Sequence, residues 1–218
     1  MTKKDKIQLA ALVDKTLEQL YPSAECALLW GGEPWKLLCM ARLSAQCTDK
    51  KVNDVSKILF SRYPTPDALA EARIEDIEEI IRPCGLYKMK AKNLRDSMIM
   101  LIGKHNGVLP SDMDVLLSYP GVGRKIANLL RGDVFGLGGI VCDTHFMRIC
   151  RRLGFYSETV RDPARIEKLF EPLLPKERQT DFCHRIVWFG RDVCKAQGPQ
   201  CETCPLSEHC AYFGKIKK

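Results

Sequence analysis

The chain has 218 residues, 45% of them hydrophobic, enough to bury the core of one large or two small domains. Its 34 Lys and Arg outnumber its 27 Asp and Glu, for a net charge of +7, which favours a polyanionic partner without establishing one. No apolar run approaches the ~18 residues that a membrane span needs. Met1 to Leu20 reads as a helix and not as a signal peptide, because Asp14 and Glu18 interrupt its apolar residues and Leu9, Val13, Leu17 and Leu20 form a stripe.

After this first helix, Glu33-Pro34 opens a second, from Trp35 to about Ala45. A third spans Lys51 to Arg62, with Val52, Val55 and Leu59 on one face, and Thr65-Pro66 supplies an N-cap and first-turn pair for a short fourth. Ile74, Ile77 and Ile81 mark the next, closed by Pro83 and Gly85, and Leu94, Met98 and Leu101 mark a longer one from Lys88 to His105, stopped at Gly107. Ser111 with Asp114 has the spacing of a capping box. Then comes a tight turn, Pro120-Gly121-Val122-Gly123, and a helix starting at Arg124-Lys125 with a core-facing row at Ile126, Leu129, Leu130 and Val134. The pattern breaks at Gly136-Leu137-Gly138-Gly139, and Ile140-Val141-Cys142 delivers Asp143 to the start of another helix. Asp162-Pro163 caps one more, and a last long helix runs from about Thr180 to Val193. No segment sustains two-residue alternation, so the spacing predicts an all-α protein. Trp30, Trp35 and Trp188 read as core, and Lys88, Lys90 and Lys92 as a solvated face.

Eleven cysteines are present. Seven (Cys26, Cys39, Cys47, Cys84, Cys142, Cys150 and Cys183) are scattered through apolar helical patterns and read as reduced core residues. The other four, Cys194, Cys201, Cys204 and Cys210, crowd into 17 residues, a strong metal signal in a reduced protein. Such usage points to the cytoplasm and away from a secreted disulfide framework. The spacing C-x6-C-x2-C-x5-C leaves zinc and an iron–sulfur cluster both open.

In the Gly121-Val122-Gly123 turn, two glycines let the backbone approach a ligand closely. The first amides of the following helix lie at the positive end of its dipole, a ready site for a phosphate. Lys125 stands just past it. A free lysine, with a pKa near ~10.4, is neutral in only roughly one of a few thousand molecules at pH 7; a helix N-terminus and desolvation favour the neutral nucleophile. Each residue also has a plainer reading: Lys125 as a phosphate contact, Asp143 as an N-cap.

PGVGRKIA followed by VCDTH resembles the helix-hairpin-helix and catalytic-aspartate segment of the endonuclease III family of DNA glycosylase/AP lyases, and the four cysteines match that family's [4Fe–4S] loop at every position. The resemblance covers about residues 27 to 213. It implies a six-helix barrel over 27–137, with 1–26 and 138–218 forming a second helical domain that carries the cluster. It also implies base-excision repair of duplex DNA. A damaged base, such as thymine glycol or another oxidised pyrimidine, is flipped out; Lys125 attacks C1′ and forms a Schiff base; β-elimination cuts the strand. Asp143 would stabilise the oxocarbenium-like charge at C1′ and move protons, as carboxylates do in glycoside hydrolysis.

Further implied DNA contacts are Gly121, Val122, Gly123 and Arg124 on phosphate, Lys195 beside the cluster, and His145 supporting the site. LSAQCTD, residues 43–49, resembles LSAQATD and points to Gln46 as the residue entering the stack opposite the flipped nucleotide, its amide able to donate and accept. GLYKMKA, residues 85–91, resembles GLYNSKA and points to Leu86 as an apolar wedge. Three departures stand out: Cys47 replaces an alanine, Leu117 sits where an acidic residue is common, and Gly138-Gly139-Ile140 replaces a stiffer linker and would loosen the placement of Asp143. The rival readings are a mismatch-specific monofunctional glycosylase, a non-catalytic helix-hairpin-helix DNA-binding module and a binder switched by cluster redox state. A monomer suffices for all of them.

Overall fold

The computed structural model describes residues 1–217, and among them there is helix but no strand. The helices are α1 (Lys3–Leu20), α2 (Pro34–Leu43), α3 (Asp49–Arg62), α4 (Pro66–Ala70), α5 (Ile74–Ile81), α6 (Tyr87–His105), α7 (Met113–Leu117), α8 (Arg124–Phe135), α9 (Thr144–Leu153), α10 (Pro163–Phe170), α11 (Lys176–Asp192) and α12 (Ala211–Ile216). The all-α expectation holds. None of these helices is long and apolar enough to cross a membrane.

The chain divides into two compact units, Cys26–Phe135 and Met1–Glu25 with the chain from Gly136 onward. The first contains α2 to α8. Its core joins Leu37, Leu38 and Leu43 of α2, Val52 and Leu59 of α3, Ile77 and Ile81 of α5, Leu94, Met98 and Leu101 of α6, and Ala127 and Leu130 of α8. The buried face of α8 is Ala127, Asn128, Leu130 and Gly132, while Ile126, Leu129 and Val134 only flank it half-buried. Caps set the helix starts: Thr48 accepts from Lys51 N and Thr65 from Ala68 N, each with its helix following at once. At α7 the cap is Asp112, not Ser111; its carboxylate accepts from Val115 N at 3.0 Å.

In the second unit, Phe146, Phe155, Phe170 and Phe182 meet edge-to-face or tilted with centroids 4.8–6.2 Å apart. Helix α1 is tied to α11 by a charged cluster. Asp14, nearly buried, accepts from Arg178 Nε at 2.8 Å and from Arg185 Nη1 at 3.3 Å, and Glu18 accepts from Arg178 Nη1 at 2.8 Å. Helix α11 starts four residues earlier than its apolar pattern, because Pro175 leads into the polar turn Lys176–Gln179. Trp188 is not core: it is 37% exposed, with the Arg191 guanidinium 5.3 Å above its ring.

Candidate nucleic-acid interface and cysteine centre

Between α7 and α8 the chain reverses in six residues. Val122 N donates to Tyr119 O at 3.0 Å and Ala127 N to Gly123 O at 3.0 Å, so the turn runs straight into the first turn of α8. Its two glycines serve different ends. Gly121 has φ +74°, and a Cβ there would lie under 3.0 Å from the side chains of Arg42 and Asn93, so the fold itself demands glycine. Gly123 has ordinary φ and nothing near its missing Cβ. The fold does not need a glycine there, and the backbone at this position is exposed. Arg124 and Lys125 are exposed on the first turn of α8, and Val122 is buried as the anchor. Beneath the turn, with the Asn93 amide oriented to satisfy both groups, its Oδ1 accepts from Arg42 Nη2 at 2.9 Å and Nε at 3.0 Å. Leu117, at the end of α7, packs half-buried against the core.

Gln46 and Leu86 share an unusual backbone. Both lie in the left-handed region, with φ +56° and +49°, and both are exposed. That conformation costs an L-residue roughly 1–2 kcal/mol and persists only where surroundings impose it. Leu86, 51% exposed, is not a core residue. Lys90 lies between the two segments that carry Gln46 and Leu86. It is no part of a solvated face: it is fully buried, and its Nζ donates to Leu43 O at 2.8 Å, Ala45 O at 2.7 Å and Cys84 O at 2.8 Å. Cys84, buried next to the half-buried Cys47, has its thiol pushed up to about 11, by burial first and then by Cys47.

Asp143 is the N-cap of α9, where Oδ1 accepts from Phe146 N at 2.7 Å. The segment leading to it is not loose. A Cβ on Gly138, whose φ is +71°, would meet the Lys176 carbonyl; Ile140 is buried; Val141 N donates to Cys183 Sγ at 3.3 Å. One turn on, His145 Nδ1 lies 3.2 Å from Arg148 Nη2.

Cys194, Cys201, Cys204 and Cys210, all half-buried, line one pocket with Ile149, Leu153, Phe189 and Leu206. Arginines on α9 bind the carbonyls of the segment that leads into it. Arg148 donates to Cys194 O at 3.1 Å and to Gly190 O at 3.1 Å. Arg152 donates to Lys195 O at 2.7 Å, to Ala196 O at 3.0 Å and to Cys194 Sγ at 3.3 Å, and stacks 4.9 Å from the Tyr212 ring. Burial and neighbouring sulfurs raise the Cys201 thiol, and burial raises that of Cys204, so these sulfurs resist ionising together without a cation. Lys195 is exposed in the same segment.

The sequence does not single out Lys90, Arg148 and Arg152. Lys90 lies on the same helical stripe as Leu94, Met98 and Leu101, so a cation on an apolar face is its signal. Arg148 and Arg152 carry a weaker one, a four-residue spacing on a helix whose other face is core.

Residues 39–176 match the model of the HhH-GPD superfamily of base excision DNA repair proteins. The chain is 39% identical over 205 residues to Endonuclease III of Bacillus subtilis, covering 93% of this chain and 91% of that one. It is 35% identical over 183 residues to Endonuclease III of Escherichia coli K12, covering 84% and 86%. The solved structure of a non-covalent Endonuclease III–DNA complex superposes with a TM-score of 0.91 at 41% identity over the whole of both chains, and that of a trapped Endonuclease III–DNA covalent intermediate with 0.91 at 40%. The chain belongs to the endonuclease III family.

Proposed function

We infer that this chain is a bifunctional DNA glycosylase/AP lyase of base-excision repair, acting on duplex DNA, with Lys125 as its nucleophile and oxidised pyrimidines such as thymine glycol as its substrates. The observation that carries this is an exposed lysine on the first turn of α8, directly after a turn whose Gly123 the fold does not require, in a chain of the endonuclease III family. The residue 26–135 unit is the barrel carrying the hairpin; the remainder is the domain of the cysteine loop.

The Gly123 amide, the first amides of α8 and the Arg124 side chain hold a phosphate at the α8 N-terminus, with Val122 anchoring the turn. With the backbone fixed, Gln46 and Leu86 enter the stack as the damaged nucleotide leaves it, the glutamine amide standing in for the lost pairing partner and the leucine wedging the step. Neutral Lys125 Nζ attacks C1′, the base departs, and the opened sugar is held as a Schiff base. Removal of a C2′ proton then expels the 3′ phosphate. The N-cap bond takes Oδ1 of Asp143 and fixes the carboxylate's rotamer, leaving Oδ2 to face the positive charge that grows at C1′ and to accept protons. Capping and catalysis are thus compatible in one side chain. His145, positioned beside Arg148, supports this segment, and Lys195 meets phosphate next to the cysteine loop.

The four cysteines fit a [4Fe–4S] cluster better than a single zinc. Tetrahedral zinc with Zn–S near 2.3 Å draws its sulfurs to about 3.8 Å from one another. Among the described residues no three of these four sulfurs lie within 4.8 Å of one another, a spacing suited to a larger core. When bound, the cluster supplies four iron–thiolate bonds that cross-link residues 194–210, and Arg152 at Cys194 Sγ offsets part of the thiolate charge.

The test is borohydride trapping on a duplex with one thymine glycol. Wild type is expected to give a covalent adduct and Lys125→Ala none, with both binding the duplex. Tight binding without an adduct from wild type, or an adduct surviving in Lys125→Ala, overturns the assignment.

A further inference from the structure

We propose that Lys90 is a positioning residue for strand entry: its ammonium gathers the two segments bearing Gln46 and Leu86 into one preformed element. This rests on the reading above that Gln46 and Leu86 enter the base stack.

The three acceptors around Nζ come from two segments far apart in sequence. Leu43 O and Ala45 O belong to the end of α2 and the turn after it; Cys84 O belongs to the turn before α6. Two of the three bonds fall next to a left-handed residue. The Ala45 carbonyl is part of the peptide whose nitrogen belongs to Gln46, so binding it orients that peptide plane directly. On the other side Lys90 acts twice: its backbone N–H donates to Leu86 O at 3.1 Å and its side chain to Cys84 O, bracketing Gly85-Leu86 between two contacts from one residue. Carbonyls only accept, so three of them need three N–H donors, which the ammonium has and the neutral amine lacks. No carboxylate forms an ion pair with Lys90 among the described residues; the carbonyl cage alone satisfies its charge. The surrounding charges and thiols are Arg42, one helix away, and Cys47 and Cys84.

Side-chain chemistry makes the position specific. The four-carbon stem leaves the buried face of α6, which also carries Leu94 and Met98, toward the N-terminal end of the helix and delivers a compact point donor. Arginine has a planar fork that cannot point three donors at three convergent carbonyls on one small centre. Methionine would fill the volume and leave three carbonyls without donors. One turn further along α6, Asn93 receives Arg42, against which Gly121 packs. One helix face thus supports both stack-entering segments and the hairpin turn. Rigid segments need not be ordered at the moment of binding, which is how preorganisation strengthens an encounter that also has to open the duplex.

The test compares wild type with Lys90→Met and Lys90→Arg in two reactions under single-turnover conditions: excision of thymine glycol from a duplex, and cleavage at an abasic site in a single strand, where no stack has to be entered. Lys90→Met is expected to slow duplex excision ~10- to 100-fold, and to keep single-strand cleavage within about twofold of wild type. Lys90→Arg should fall between, and a 2-aminopurine beside the lesion should show a smaller fluorescence rise in both variants. Equal slowing of the two reactions would assign Lys90 a merely structural role and overturn the proposal. Gln46→Ala and Leu86→Ala are the controls for the underlying reading. If they slow duplex excision and Lys90→Met does not, the clamp is wrong and the stack-entry reading stands; if they have no effect, the stack-entry reading falls first. Should Lys90→Met not fold, Lys90→Gln, which keeps two donors, replaces it with the same expected split.

Discussion

Two regions of this protein are shaped by a cation bound to main-chain carbonyls, and they differ in what else they need. In the first turn of α6 a buried Lys90 collects three carbonyls, and Gln46 and Leu86 in the segments it joins take left-handed backbone. At the end of α11 Arg152 and Arg148 collect the carbonyls of Gly190, Cys194, Lys195 and Ala196, but the segment then passes through four thiols that face one pocket. Beyond Gln200 its backbone makes only local turns, such as Ser207 N to Cys204 O, with Leu206 as the buried anchor. Carbonyl-gathering cations replace a secondary-structure ladder where a loop must have one shape. In the first region the cation and its acceptors all come from the chain; in the second, on the function proposed above, a bound cluster would complete the loop.

The sharpest test of that difference is removal of one thiol. Cys204→Ala should abolish the visible iron–thiolate absorption and render residues 194–210 sensitive to protease, because metal binding free energy is folding free energy for such a segment. The residue 26–135 unit should keep its amide exchange protection. If protection were lost in both units together, the cysteine loop would be part of one cooperative whole and the contrast would fail.

The fold class was legible because periodicity, caps and breakers agree: Thr65-Pro66, Asp162-Pro163 and Asp143 each start a helix where the sequence places one. The family was legible from short motifs with glycines and cysteines at fixed intervals. What the sequence hid were long side chains whose heads turn inward. KMKAK reads as solvated lysines because alternation and charge say nothing about a buried carbonyl cage; only the four-residue step from Lys90 to Leu94 hints at it. Trp188 failed in the opposite sense, since aromatic size argues for burial while its place on α11 leaves it partly in solvent beside Arg191. Gly138 was misleading for a third reason. Glycine signals freedom in a sequence, but here the Lys176 carbonyl occupies the space a side chain would take. The loop before Asp143 is held by packing that no local pattern encodes.

A smaller effect sharpens the comparison between the two cations. Arg152 is only half-buried and water can replace some of its partners, whereas Lys90 has no such access. Arg152→Met should cost about 1–2 kcal/mol, with the loss confined to the cysteine loop. Thermal unfolding combined with the rate of cluster loss on exposure to chelator reads both effects. Faster cluster loss at nearly unchanged unfolding temperature fits an anchoring role; a fall in unfolding temperature as large as that of Lys90→Met would mean the two sites are not graded by burial.

The smallest effect separates carbonyl cages from carboxylate pairs. Arg178 and Arg185 are also buried or half-buried cations, but they bind the carboxylates of Asp14 and Glu18. The hydrogen bond from Arg178 holds the Glu18 carboxyl below its ordinary range. A carboxyl lowered in the folded state stabilises the fold above its unfolded pKa, about 4.3, and that contribution is lost as pH falls through the lower folded value. Glu18 is exposed enough for water to screen the pair, so the effect is small. Glu18→Gln should therefore lower the unfolding temperature slightly at pH 7, and the gap to wild type should close as the pH drops below 4. The deficit of Lys90→Met should stay constant over the same range, because an ammonium is already charged there and amide carbonyls do not titrate. A Lys90→Met deficit that shrank with acid would mean that a carboxylate, and not the carbonyl cage, balances the lysine.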